Sequence, residues 1–186
     1  MTATAANITV PARAHVYLAP KGTAAPADAT TALATAWKDV GYFTTDSLDV
    51  TSDPKFEDVN SAQSDFPVRK FQTSDGGKIS VDLQEWSTAS FVAVYGGGTV
   101  TVASGVSVFT PPVVGTRQEV SAIIEIIDNA KHYRFIYPRV FQEEGVPLSL
   151  HKSKEATLAL RLSILASDGV APFTMITDDP SFVAST

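Results

Sequence analysis

Three histidines, His15, His132 and His151, are the first residues to weigh for chemistry, and cysteine is absent. None of the three has a partner at the spacing of H-E-x-x-H or His-x-His, so a zinc-type metal site has no donor set. His15 and His132 fall in strand-like runs, where a packed or surface imidazole is the ordinary outcome. No G-x-S-x-G elbow marks a nucleophile for a Ser-His-Asp triad. Gly96-Gly97-Gly98 and Asp75-Gly76-Gly77-Lys78 lack the G-x-x-x-x-G-K-[ST] spacing of a phosphate loop. They read instead as a helix stop and a hairpin turn. Glu143 and Glu144 are adjacent, so on an extended chain they point apart and cannot serve one substrate as a carboxylate pair. Asp46, Asp49 and Asp53 do not follow the calcium-loop pattern. Trp37, Trp86 and the five tyrosines lack the basic surround of a base-stacking platform. The expectation is a chain that is not an enzyme, with no catalytic, metal or cofactor-binding residue.

The elements that would have to position any site are strands. The clearest is Glu119 to Tyr137, two β-branched and aromatic runs flanking Asp128-Asn129-Ala130-Lys131, which is a hairpin pattern. Its first run is apolar on both sides. Val120, Ala122, Ile124 and Ile126 share one face, and Ile123 and Ile127 the other. A strand with one core alternates apolar and polar residues. Here both faces need cover, one from a second sheet and the other from a helix or a neighbouring copy. The run Thr157 to Ile164 repeats the theme in milder form. Leu158, Leu160, Leu162 and Ile164 face one way, and Thr157, Ala159, Arg161 and Ser163 the other.

Composition fits a globular chain. At 186 residues one domain is the default, able to bury roughly 70% of its unfolded surface. Apolar content is 44% and charged content 18%, the latter below the usual quarter, as expected when surface is buried between subunits. No signal-peptide pattern and no membrane-length apolar run is visible. The net charge of -6 equals that of one window, since seven carboxylates oppose Lys55 alone between Asp39 and Asp65. A sequence-specific nucleic-acid binder needs a basic footprint, and none exists. The acidic window reads as a solvated loop, or as part of a protein that handles DNA without holding it.

Along the chain, residues 1–13 read as an arm and Ala14 to Ala19 as a strand. Leu33, Ala36, Trp37 and Val40 suggest a helical turn ended by Gly41. Short strands are expected near Asp46–Thr51 and Phe56–Val59, within a long acidic loop over 44–66. Val68–Thr73 and Lys78–Trp86 read as a hairpin about Ser74-Asp75-Gly76-Gly77. Ser87 or Thr88 caps a short helix through Tyr95, stopped by glycines. Thr99–Val102 and Val106–Phe109 form a third hairpin. Val140–Gln142 and Val146–Leu150 continue extended, Phe173–Thr177 is a last strand, and 178–186 is a tail. The class is mainly β, two packed antiparallel sheets with one or two short helices.

The order of these pieces carries a resemblance. A-H-V-Y-L-A-P-K-G-T-A-A-P precedes A-W-K-D-V-G-Y-F-T-T-D-S-L-D-V-T. V-R-K-F-Q-T-S-D-G-G-K-I-S-V-D-L-Q-E-W-S follows the acidic loop. I-Y-P-R-V, A-T-L-A-L-R-L-S-I-L-A and I-T-D-D-P close the series. From about Ala14 to Pro180 the chain resembles the major tail, or tail tube, proteins of long-tailed bacteriophages, especially those of actinobacterial hosts. The resemblance implies a β-sandwich with a flanking helix and six copies closing a ring around an inner β-barrel. Stacked rings would form the hollow tail tube of the virion, assembled in the host cytoplasm. It implies tape-measure, tail-terminator and distal tail proteins as partners, DNA passing without specific binding, and no membrane. Under it, the polar strand faces (Ser80, Asp82, Gln84, Thr157, Arg161, Ser163) are candidates for the lumen wall. Asp46, Asp49, Asp53, Phe56, Asp58, Ile123 and Ile127 are candidates for contacts between subunits, and the 44–66 loop and N-terminal arm for contacts between rings. The alternative is a β-sandwich binding or decoration module on a virion.

Overall fold

A computed structural model describes residues 5–145, 148–150, 155–167 and 169–182. His151 and part of the expected C-terminal tail lie outside the described residues. Thirteen strands and one α-helix are described. The first five strands are β1 (Arg13–Pro20), β2 (Lys38–Asp39), β3 (Asp49–Ser52), β4 (Lys55–Val59) and β5 (Arg69–Ser74). After β6 (Gly77–Leu83) comes the helix α1 (Thr88–Tyr95), followed by β7 (Thr99–Ala103) and β8 (Val106–Thr110). The long strands β9 (Glu119–Asp128) and β10 (Lys131–Gln142) precede β11 (Leu148–Ser149), β12 (Thr157–Ile164) and β13 (Thr174–Thr177). The fold is mainly β, as expected.

Nine strands form one antiparallel sheet in the order β2-β1-β9-β10-β12-β6-β3, with β11 beside β12 and β13 beside β10. The packed layers of the sandwich are two halves of this sheet. Strand β10 joins them. Its start pairs β13, its end pairs β12, and a register shift between Tyr137 and Val140 bends it. Such a bulge re-aims a long strand. Folding the sheet over brings Val16, Leu18, Ala122 and Ile124 against Ile79, Val81, Leu83, Leu158, Leu160 and Leu162 in one core. The alternation of β6 makes this possible, since Ile79, Val81 and Leu83 are all fully buried.

Helix α1 closes one end of the core, with Val94 buried beneath it. Its start is a capping box, in which Ser87 and Ser90 each accept the other's backbone N–H. Gly96 ends it with φ +69, a left-handed conformation that glycine adopts without strain.

The back face of β9 departs from expectation. Ile123 is fully buried within a single copy, packed with Trp37, Ala19 and Ile136. Its cover is neither helix nor neighbour but the irregular segment 24–37. Such a segment needs partners for its polar backbone. Arg134 supplies them, donating through Nη1 to the carbonyls of Asp28 (3.0 Å) and Thr31 (2.8 Å), while its Nε donates to Glu125 (2.8 Å). Trp37 Nε1 donates to the Ala24 carbonyl at 3.2 Å. Leu33 to Val40 forms no helix but does make one hydrogen-bonded turn, Trp37 N donating to the Ala34 carbonyl at 2.9 Å. The chain then runs into β2, with Trp37 in the back cluster and Val40 in the main core.

A second correction concerns Val68–Trp86, which is not a hairpin. Strand β5 pairs β4, whereas β6 pairs β3 and β12. The whole of 49–83 is one long hairpin, interrupted where Asp53 N donates to Gly76 O at 2.7 Å. A tight turn at Asp75-Gly76 needs positive φ, and neither Gly76 nor Gly77 has it. Gly77 serves close packing instead, because a Cβ there would lie 2.8 Å from Ile164 Cδ1. The true turn is 60–68, and all of β4 and β5 is exposed. The hairpins expected at 99–109 and 119–137 form and run on to Thr110 and Gln142, the first turning at Ser104 (φ 51) and Gly105 (φ 78) and the second at Asn129 (φ 54).

Residues 9–10 and Asp179 dock at the β9–β10 turn. Val10 N donates to Asp128, Thr9 bonds the Tyr133 hydroxyl, and Tyr133 donates to Asp179. Lys131 pairs Asp179 at 3.0 Å. The Tyr133 hydroxyl above all holds the Asp179 carboxyl below the usual carboxylate range.

Two predictions follow from this packing. Replacing Arg134 by Met strands the buried Glu125 and two carbonyls, and the loss of one partner from a buried pair costs about 3–5 kcal/mol. Chemical denaturation should read that loss, and limited proteolysis should show cleavage within 24–37. The second concerns acid. Glu119 is gripped by Arg139 (2.5 and 2.9 Å) and by Lys21 (2.7 Å), and these bonds lower its pKa from 4.5 to about 2. Hydrogen bonds from Thr31 and Thr30 lower Asp28 from 3.8 to about 2. A carboxyl with a depressed folded pKa stabilises above its unfolded value and loses that contribution as pH falls through the folded one. Melting temperature should therefore drop between pH 4.5 and 2, and Glu119→Gln should flatten that drop.

Candidate functional site

The register of β3, β6 and β12 builds one polar face. Arg161 stands opposite Ser80, Ala159 opposite Asp82, Ser163 opposite Lys78, and Asp49 opposite Ser80 on the other side. Directly opposed residues share a face, so five of the six residues read as lumen candidates, Ser80, Asp82, Thr157, Arg161 and Ser163, share it and are half-buried. Gln84, on the residues after β6, is exposed and donates to Glu155 at 3.2 Å.

Among the described residues, every cation on this face is engaged. Arg161 Nη2 pairs Asp82 at 2.6 Å, and its Nη1 donates to the carbonyls of Val81 (2.9 Å) and Leu160 (3.0 Å). Lys78 pairs Glu143 at 2.8 Å and Glu144 at 3.2 Å. Those two carboxylates raise the Lys78 pKa, and Lys78 in turn lowers that of Glu143. With Asp49 and Glu155 at the margins, five carboxylates surround two cations among the described residues. Glu143 and Glu144 do not point apart as an extended chain would have them: β10 ends at Gln142, and a bend brings both carboxylates onto the one Lys78 ammonium, which the lumen candidates had left out. The signal was present in β6 alternation for Lys78, but Glu143 and Glu144 reach the face only through the fold.

The residues read as inter-subunit candidates do not form one cluster. Asp46 (φ 61) precedes β3, Asp53 sits at the interruption of the long hairpin, and Phe56 and Asp58 lie on the β4–β5 ribbon. Asp58 pairs Lys70 across the ribbon at 3.3 Å. Asp49 belongs to the polar face. Ile127 is half-buried beside Arg13, and Ile123 is closed to any neighbour by the chain's own cover.

Uncovered apolar surface lies elsewhere. Phe56 is 53% exposed and Phe66 80%, with Val59, Val68 and Phe71 also open on the same hairpin. A two-stranded ribbon with no core contact is marginal alone in water. An apolar groove of about 660 Å³ opens between β3 and residues 164–166 and 170–173, and another of about 460 Å³ beside α1. Among the described residues Asp75 is the one charged residue lining the first and Lys38 the one lining the second. Neither groove brings together an acid, a base and a nucleophile. His15 instead contacts Asp39 at 3.1 Å on the exposed outer strands. Among the described residues no three His, Asp or Glu converge as metal ligands, and no helix is long and apolar enough to cross a membrane.

The working parts are therefore surfaces: a polar sheet face with engaged cations, exposed apolar ribbons, and apolar grooves. No curated protein matches the sequence. A family model described as phage tail tube protein matches residues 1–186, the whole chain. This chain belongs to the phage tail tube protein family, a structural family whose place is the virion tail.

Proposed function

We propose that copies of this chain close head-to-tail into rings, six to a ring as the resemblance implies, and that the rings stack into a hollow conduit for DNA. The observation that carries this reading is the polar β3–β6–β12 face, assigned to the lumen. Each phosphate neutralised by a free Lys or Arg adds counterion-release affinity. Here Lys78 and Arg161 are already neutralised by Glu143, Glu144 and Asp82. Carboxylates outnumber cations, so the face repels a polyanion weakly and offers it nothing to grip. Charges farther than about 8–10 Å from the wall are screened and matter little.

Ring closure uses a heterologous contact. The exposed β4–β5 ribbon is its natural arm, since Phe56 and Phe71 lie on opposite faces of the ribbon and leave both sides unsatisfied in one copy. Obligate contacts of this kind bury about 2,000–5,000 Å². Asp58 on this arm, with Asp46 and Asp53 before it in the chain, would set its orientation. In this reading the tape-measure, tail-terminator and distal tail proteins that the resemblance implies are its partners, and assembly takes place in the host cytoplasm. The sheathless, long-tailed architecture comes from the resemblance.

Electron microscopy of the assembled protein should show stacked rings with a central hole, and isolated globules would refute the reading. Phe56→Asp with Phe71→Asp should abolish rings. Because both side chains are exposed, the folded monomer should keep its circular dichroism and lose no more than about 0.5 kcal/mol.

A further inference from the structure

Between Ser87 and Thr116 the chain contains no Asp, Glu, Lys, Arg or His. Within this span lies the β7–β8 ribbon, which pairs with no other strand. Val102 is 70% exposed, Val106 61% and Val108 52%. Exposed edges are usually protected by charge or proline, and this ribbon has neither between Thr99 and Thr110. Its two faces differ. Val100 and Phe109 are opposite one another and half-buried, with Phe109 packed on Phe91 and Tyr95 of α1. Thr101, Ala103, Val106 and Val108 form the other face, open and neutral.

The ribbon and the larger groove lie at opposite ends of the same strand. The ribbon is rooted where Gln118 N donates to Gly96 O at 2.9 Å, immediately before β9. The groove is lined by Ile124 and Ile126 toward the far end of β9, with Val50, Phe135, Ile164 and Phe173. From Val120 to Ile126 a strand advances about 20 Å. One end of the molecule thus projects an uncharged ribbon that its other end cannot reach, and that other end holds a largely apolar groove with Asp75 as the one charge among its described lining residues. The β4–β5 ribbon is the poorer occupant. It carries Lys55, Glu57, Asp58, Asp65, Arg69 and Lys70 along its length, and burying such charges without partners is costly. Its root also lines the same groove through Thr51, Ser52 and Gly77.

We infer that the β7–β8 ribbon is the contact between successive rings, its Val106–Val108 face seated in the groove of a second copy of this chain in the next ring. The inference rests on the tube reading and adds the partner of a surface which that reading leaves open. An end-to-end contact of this kind does not close on itself, so it propagates as a filament.

The absence of cysteine makes a direct test clean. Val106→Cys and Val170→Cys, both at exposed sites, should link copies in assembled tubes under a short bis-maleimide. The product should be a ladder extending beyond the number of copies in one ring, with neither single variant giving a ladder. Val106→Lys with Val108→Lys should leave rings that do not stack. If tubes form and the double-cysteine chain runs as a monomer, or if the lysine variant stacks like the parent, the inter-ring assignment is wrong while the tube stands. If the parent forms no rings, the tube reading fails and this contact fails with it.

Discussion

Burial of β9 on both faces is the constraint on which the rest of the molecule depends. Its even-numbered side draws the two halves of the sheet together around Ala122 and Ile124. Its odd-numbered side requires cover from a segment with no regular structure. The Arg134–Glu125 pair makes that cover possible, because a guanidinium has enough donors to hold a carboxylate and two loop carbonyls at once. Both partners are almost fully buried. A buried pair of this kind contributes less through its own attraction than through the penalty for losing either member, and it holds the loop in one conformation.

With β9 satisfied internally, the apolar surface left for assembly is displaced to the periphery. It lies on two ribbons that branch from the sheet. They differ in chemistry: β4–β5 mixes phenylalanines with charges of both signs, and β7–β8 is uncharged throughout. A mixed ribbon can specify orientation through charge, while a neutral one relies on shape and apolar fit. Keeping these surfaces off the main core separates folding from assembly, so one copy can fold before it meets another. The polar sheet face follows a different rule, with its cations held in pairs rather than presented outward.

Much of the fold was legible from local pattern. The alternation of β6 and β12, the hairpins at 99–110 and 119–142, and α1 between Ser87 and Gly96 all rest on interactions spanning a few residues. The polar lumen candidates came to one face because β6 and β12 both alternate and happen to be neighbours. Two readings failed for non-local reasons. Asp75-Gly76-Gly77 carries turn residues, yet its role is set by Ile164 and Thr51, distant in sequence. Ile123 signalled a need for cover, but nothing near it in sequence said that Trp37 would supply it.

By itself, the sequence determined the strands, the helix, the absence of a basic footprint and the surplus of apolar surface, because each follows from residue type and short-range spacing. Tertiary structure alone decided where that surplus remains exposed. Strand order, the bend in β10 and the reach of Arg134 bring together residues more than 100 positions apart, and which apolar face is sheltered depends on that long-range pairing rather than on the period of any one strand.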